Sequence, residues 1–191
     1  MYTVEFHFSV AFLMRAARIT QPPERMVFLT GVSLFNKSLV FATDMIPVEF
    51  EASRVHVHPK NKSLLEMLAR LRDFELPVFG QIHSHPGRFL SSTLPSWVDL
   101  NTAAAWETGG PFISLIVSEG GRYVRFVRPI DSSYRSVIKI HGKHVLTTDV
   151  DAFELPKEGY DSEMQAGDQF ELVFAGDRPP EAVQVVGSER D

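Results

Sequence analysis

The sequence predicts an α/β fold in which a mixed, mainly antiparallel sheet is flanked by helices. Short apolar runs with strand-like alternation recur across the first 145 residues, and stretches with helical spacing interrupt them. Glu119-Gly120-Gly121 joins two further apolar runs as a hairpin. At 191 residues with 44% hydrophobic content the chain can bury one core without staples, read as a domain over 1–145 with an appendage over 146–191.

The elements follow in order. Tyr2 to Phe8 alternate as a first strand, and Ser9 caps a helix that carries Val10, Leu13, Met14 and Ala17 on one face. Pro22-Pro23 stops that helix, Glu24 follows, and Met26 to Leu29 read as a buried strand ending at Gly31. Leu34 to Thr43 and Ile46 to Phe50 are expected as two strands joined near Asp44. Ser63-Leu64-Leu65-Glu66 has the spacing of a capping box for a helix from Leu64 to Phe74, with Leu64, Leu68 and Leu71 inward. Pro77 ends it, and Val78 to His85 form the next strand. Trp97 to Glu107 read as a helix closed by Gly109-Gly110-Pro111. Phe112 to Ser118 and Arg122 to Pro129 make the hairpin, and Tyr134 to Val145 add a strand. Past that point acidic, glycine and proline residues dominate, apart from a β-like run from Gln169 to Phe174.

Composition excludes some chemistry. Cysteine is absent, so the chain has no disulfide, no thiolate nucleophile and no thiolate metal ligand. The net charge of -5 hides an asymmetry, since residues 145–191 carry 12 acidic against 3 basic side chains and residues 1–144 carry 12 against 16. A basic excess of that size is weak evidence for nucleic acid and suits a protein partner as well. The start has no basic leader and the apolar runs fall short of a bilayer span, so a soluble, cytoplasmic protein without membrane contact is expected.

The chemistry concentrates in Gln81-Ile82-His83-Ser84-His85-Pro86, followed by Ser96-Trp97-Val98-Asp99. Alternate residues of a strand share a face, which places the imidazoles of His83 and His85 side by side. A zinc site needs a third donor, and Asp99 is the nearest downstream carboxylate that a returning helix can bring back. Ser96-x-x-Asp99 is equally a helix start, so capping and ligation compete for this side chain. A second His56-x-His58-Pro59 repeats the pattern, but Lys60 and Lys62 beside it would repel a dication, and the bland reading is a surface strand. His7, His141 and His144 have no spaced partner and are read as non-catalytic.

His83-Ser84-His85-Pro86 followed by Ser96-x-x-Asp99 resembles the motif of the JAMM, or MPN-plus, zinc metalloproteases. That family adds an upstream glutamate in a Pro-x-Glu…Leu-x-Gly context, which Pro22-Pro23-Glu24 and Leu29-Thr30-Gly31 match. The resemblance covers roughly residues 2 to 130 and implies the mixed-sheet MPN/JAB fold, similar to that of cytidine deaminases. It makes His83, His85 and Asp99 zinc ligands, Glu24 the general base that passes a proton from water to the leaving amine, and Ser96 a stabiliser of the oxyanion. In one respect the chain departs from the pattern. Ten residues separate His85 from Ser96 where seven are commonest, a lengthening that costs little closure entropy.

The family cleaves peptide or isopeptide bonds after the C-terminal glycine of ubiquitin-like proteins. The small size is similar to prokaryotic members, which implies a bacterial ubiquitin-like conjugation or antiphage-defence system, with ubiquitin-activating and ubiquitin-conjugating-like enzymes as partners. Two readings from other classes remain: a metal-free MPN scaffold, although such domains usually lack one or more of the five residues present here, and a RadC-like DNA-associated protein, a class that shares the motif but carries an added helical module. A small-amide hydrolase is a further reading.

Overall fold

The computed structural model describes residues 2–20, 25–52, 57–73, 76–107, 109–129, 132–142 and 145–156. In chain order the strands are β1 (Tyr2–Ser9), β2 (Met26–Leu34), β3 (Leu39–Pro47), β4 (Phe50–Ala52), β5 (Val57–Pro59), β6 (Val78–His85), β7 (Ile113–Ser118), β8 (Tyr123–Val127), β9 (Tyr134–Gly142), β10 (Val145–Thr148) and β11 (Ala152–Glu154). The helices are α1 (Val10–Ile19), α2 (Asn61–Asp73) and α3 (Trp97–Glu107), with a 3-10 turn at Leu90–Thr93.

Nine strands form one sheet in the order β10-β9-β1-β3-β2-β6-β7-β8-β11, and β4 pairs with β5 separately. β1 runs parallel to β3 and β9, and β6 runs parallel to β7, while the remaining pairs are antiparallel. The expected mixed, mainly antiparallel sheet flanked by helices is therefore the observed fold. Laid flat, its two edge strands would stand about 38 Å apart at ~4.8 Å per strand. Yet only Asp149, Val150 and Asp151 separate β10 from β11, a reach of at most about 15 Å, so the sheet must curl. Asp149 N–H donates to Ile138 O on β9, and Phe126 N–H on β8 donates to Asp151 O. Arg128 pairs with both Asp149 and Asp151, locking the crossing.

The elements form for local reasons. Ser9 caps α1 by accepting the Phe12 N–H at 3.0 Å, and the helix buries Leu13, Ala16 and Ala17. The fully buried Phe6, Phe8, Phe28 and Phe112 fill the core. On the face carrying Met26 and Phe28, α2 supplies Met67 and Leu71, with Leu64 and Leu68 packed at the margin. Trp106 of α3 lies against Phe28 and Phe112, 5.0 and 5.6 Å between ring centres.

Several boundaries differ from expectation. β2 does not end at Gly31 but continues to Leu34, because Gly31 sits at a bulge where a Cβ would lie 1.9 Å from Phe41 O. β3 is one strand through Asp44, and the reversal falls earlier, at Phe35, Asn36 and Lys37, all with positive φ. α2 starts at Asn61, so Ser63 is not its cap; the Ser63 hydroxyl instead accepts the Glu49 N–H at 2.9 Å. The strand expected over 134–145 is two antiparallel strands, β9 and β10, and the sheet continues to Glu154. The run Gln169–Phe174, His56 and His144 lie outside the described residues. Among the described residues no helix is long and apolar enough to cross a membrane.

One pairing was invisible in the sequence. Parallel alignment of β1 with β9 sets His7 Nδ1 2.9 Å from His141 Nε2, with Glu5 3.3 Å from the other His7 nitrogen. Burial first, then the neighbouring His141 and Lys139, push the His7 imidazole down to about 4 against the pull of Glu5. The folded chain therefore holds His7 neutral while the unfolded chain takes up a proton below the ordinary value of 6.5. Stability should be complete above that value and fall as pH drops towards 4, by up to about 1.4 kcal/mol per unit. Urea titrations at several pH values check this, with His7→Phe expected to flatten the acid limb.

Candidate metal centre

Gly80, Ile82 and Ser84 of β6 face the α1 side, so Gln81, His83 and His85 face the other. Ser84 is buried, and its hydroxyl donates to Thr20 O at 2.5 Å, fixing β6 to the end of α1. No local pattern signals the Thr20 contact, which joins positions 64 residues apart. On the opposite face the Nε2 atoms of His83 and His85 stand 3.1 Å apart. α3 starts beside them and brings Asp99 Oδ1 to 3.0 Å from His83 Nε2 and Oδ2 to 3.4 Å from His85 Nε2. One donor atom from each of the three residues falls within 4.8 Å of the others, and His83 and Asp99 are buried.

Of the two roles expected to compete for Asp99, capping is observed, and it leaves the carboxylate facing the imidazoles. Asp99 Oδ2 accepts the Ser96 N–H at 2.6 Å, and Ser96 Oγ accepts the Asp99 N–H at 3.3 Å, a reciprocal cap at the start of α3. The same carboxylate still faces both imidazoles, because each oxygen offers more than one lone pair. Ser96 Oγ therefore already accepts one bond, and its O–H group is still able to donate. Burial opposes ionisation of Asp99; hydrogen bonds with His83 and His85, the charge of His83 and the Ser96 bond outweigh it and hold the carboxyl well below the usual carboxylate range.

The lengthened loop after His85 supports the imidazole. The 3-10 turn at Leu90–Thr93 presents Ser92 O to His85 Nδ1 at 3.2 Å. A carbonyl can only accept, so His85 Nδ1 carries the proton of this bond, which fixes the ring with Nε2 towards His83 and Asp99. Gly87, with φ +98°, makes the turn possible, because a Cβ there would lie 2.4 Å from Ser92 Oγ. Arg125 Nε donates to Thr93 Oγ1 at 3.2 Å and ties the turn to β8. The loop exposes an apolar rim, with Phe89, Leu94, Trp97 and Val98 between 48% and 74% accessible.

Two imidazoles and a carboxylate converging in a largely buried spot suit a divalent metal ion with an open position. Glu24 lies outside the described residues; Met26, two positions later, is registered opposite His83, so β2 begins at the level of the first imidazole. His58 lies in β5, paired with Glu51.

No protein-family model matches the chain, and no curated protein matches it. Among solved structures it is similar to a JAB1/MPN domain protein from Archaeoglobus fulgidus, with 17% identity over 70% of this chain and 97% of that one, at a TM-score of 0.38. It is also similar to a protein from Desulfitobacterium hafniense solved in solution, with 18% identity over 74% of this chain and 97% of that one, at a TM-score of 0.46.

Proposed function

We propose that the chain is a zinc-dependent peptidase of the JAMM type that cleaves after the C-terminal glycine of a ubiquitin-like protein, in deconjugation or precursor processing. The observation that carries this reading is the convergence of His83 Nε2, His85 Nε2 and the Asp99 carboxylate on one buried point. When bound there, zinc supplies a Lewis acid and acidifies coordinated water towards neutrality. The chain's own residues do the rest. His83, His85 and Asp99 hold the ion, and Glu24 moves the proton from the attacking water to the departing amine. The Ser96 hydroxyl, anchored at the start of α3, donates to the oxygen that becomes negative at the scissile carbonyl.

The exposed rim of Phe89, Leu90, Leu94, Trp97 and Val98 beside this point favours a macromolecular substrate, since contiguous exposed apolar side chains usually mark contact with another protein. A bacterial ubiquitin-like conjugation or antiphage-defence system, with activating and conjugating-like enzymes as partners, is the setting proposed on the motif resemblance. The test uses a ubiquitin-like protein extended past its terminal glycine by a reporter peptide. Cleavage after the glycine, loss of cleavage on chelation and recovery on adding zinc are the expected results. Cleavage that persists in the chelated protein contradicts the assignment.

A further inference from the structure

The two imidazoles are supported unequally. His85 Nδ1 donates to Ser92 O, but His83 Nδ1 is buried without a partner. A histidine that ligates through Nε2 must carry its proton on Nδ1, and a buried N–H without an acceptor is destabilising. Loading a metal through His83 Nε2 therefore creates a demand for an acceptor at Nδ1.

The sheet limits where that acceptor can come from. His83 is registered with Met26 on one side and Ile116 on the other, both apolar. Along its own strand face the neighbours are His85, which turns to the metal point, and Gln81. Gln81 is only 2% exposed, and its Oε1 is also buried without a partner. Ser114, registered with Gln81 on β7 and fully buried, contributes a third orphaned atom, Oγ, on the same face. On the other side of Gln81 stands Phe28, which accepts nothing in the sheet plane. Three polar atoms that lack partners thus occupy adjoining positions behind one ligand, in a sheet whose other neighbours there are hydrocarbon.

We propose that Gln81 is the positioning residue of His83. Its carboxamide oxygen takes the Nδ1–H of the metal-bound tautomer, directly or through one enclosed water shared with Ser114 Oγ, and so aims Nε2 at the ion. This inference rests on the metal-centre reading above. It gives Gln81 no contact with substrate and no proton to transfer. Its role is the one that Ser92 O plays for His85.

The test compares zinc affinity of the wild-type chain, Gln81→Met and Gln81→Glu by competition with a chromogenic chelator, alongside the melting temperature of each metal-free protein. Gln81→Met keeps the volume but removes the acceptor, and should weaken zinc binding about 10–100-fold without lowering the metal-free melting temperature. Gln81→Glu restores an acceptor and should recover affinity. If Gln81→Glu does not fold, the nitrogen-15 spectrum of zinc-loaded wild type and Gln81→Met serves instead: His83 Nδ1–H should be protected from exchange in the first and lose that protection in the second. Equal zinc affinity in wild type and Gln81→Met overturns the Gln81 assignment alone. So does a variant that melts lower metal-free yet binds zinc normally. A wild-type chain that binds no zinc overturns the metal-centre reading itself and this inference with it.

Discussion

Asp99→Asn should leave the fold in place and remove both metal binding and peptidase activity. The carboxamide oxygen can still accept the Ser96 N–H, so the cap of α3 survives and far-UV dichroism should not change. What disappears is the one anionic donor of the three. The amide nitrogen, if turned towards the imidazoles, presents N–H groups to the lone pairs that a metal needs. We expect kcat/KM to fall by about 10³-fold or more, equivalent to ~4 kcal/mol of lost transition-state stabilisation. Zinc titration and a cleavage assay on the same preparation check it. Retained zinc binding with full activity would show that the carboxylate serves only as a helix cap.

Glu24→Gln should separate metal from turnover. On the proposed mechanism Glu24 carries a proton and does not ligate, so the variant should bind zinc as tightly as the wild-type chain. Its kcat should fall by about 10²–10⁴-fold, the usual contribution of a positioned general base. Loss of zinc together with activity would instead make Glu24 a fourth ligand, and undiminished cleavage would remove it from the mechanism. Read side by side, Asp99→Asn and Glu24→Gln distinguish a residue that holds the ion from one that works beside it.

The strand and helix that carry the candidate site are also the elements most legible in the sequence. β6 and α3 span Val78–His85 and Trp97–Glu107, the limits expected from Pro77, Pro95 and the apolar pattern between them. Two-residue alternation puts His83 and His85 on one face whatever the tertiary structure. The double duty of Asp99 was not legible, because spacing alone cannot say that one carboxylate serves a cap and two imidazoles at once. Gly31 read as a strand end because glycine usually punctuates; here it admits the close approach of β3 within a continuing strand. Ser63 matched a capping box, but its hydroxyl was taken by Glu49, a partner 14 residues away. The His7–His141 contact depends on parallel pairing between strands separated by most of the chain, and no local pattern encodes it. Gln81 read as an ordinary strand residue; its interest lies in what surrounds it, apolar Phe28 on one flank and Ser114 on the other.

The arrangement asks one thing of the chain before any substrate is considered, that it take up a single ion at β6 and α3. Isothermal titration of the metal-free protein with zinc measures this directly. One zinc per chain is expected, with a melting temperature that rises with free zinc as binding to the folded state requires, and loss of both in the His83→Ala, His85→Ala double variant. An absence of binding, or binding that the double variant keeps, would contradict it.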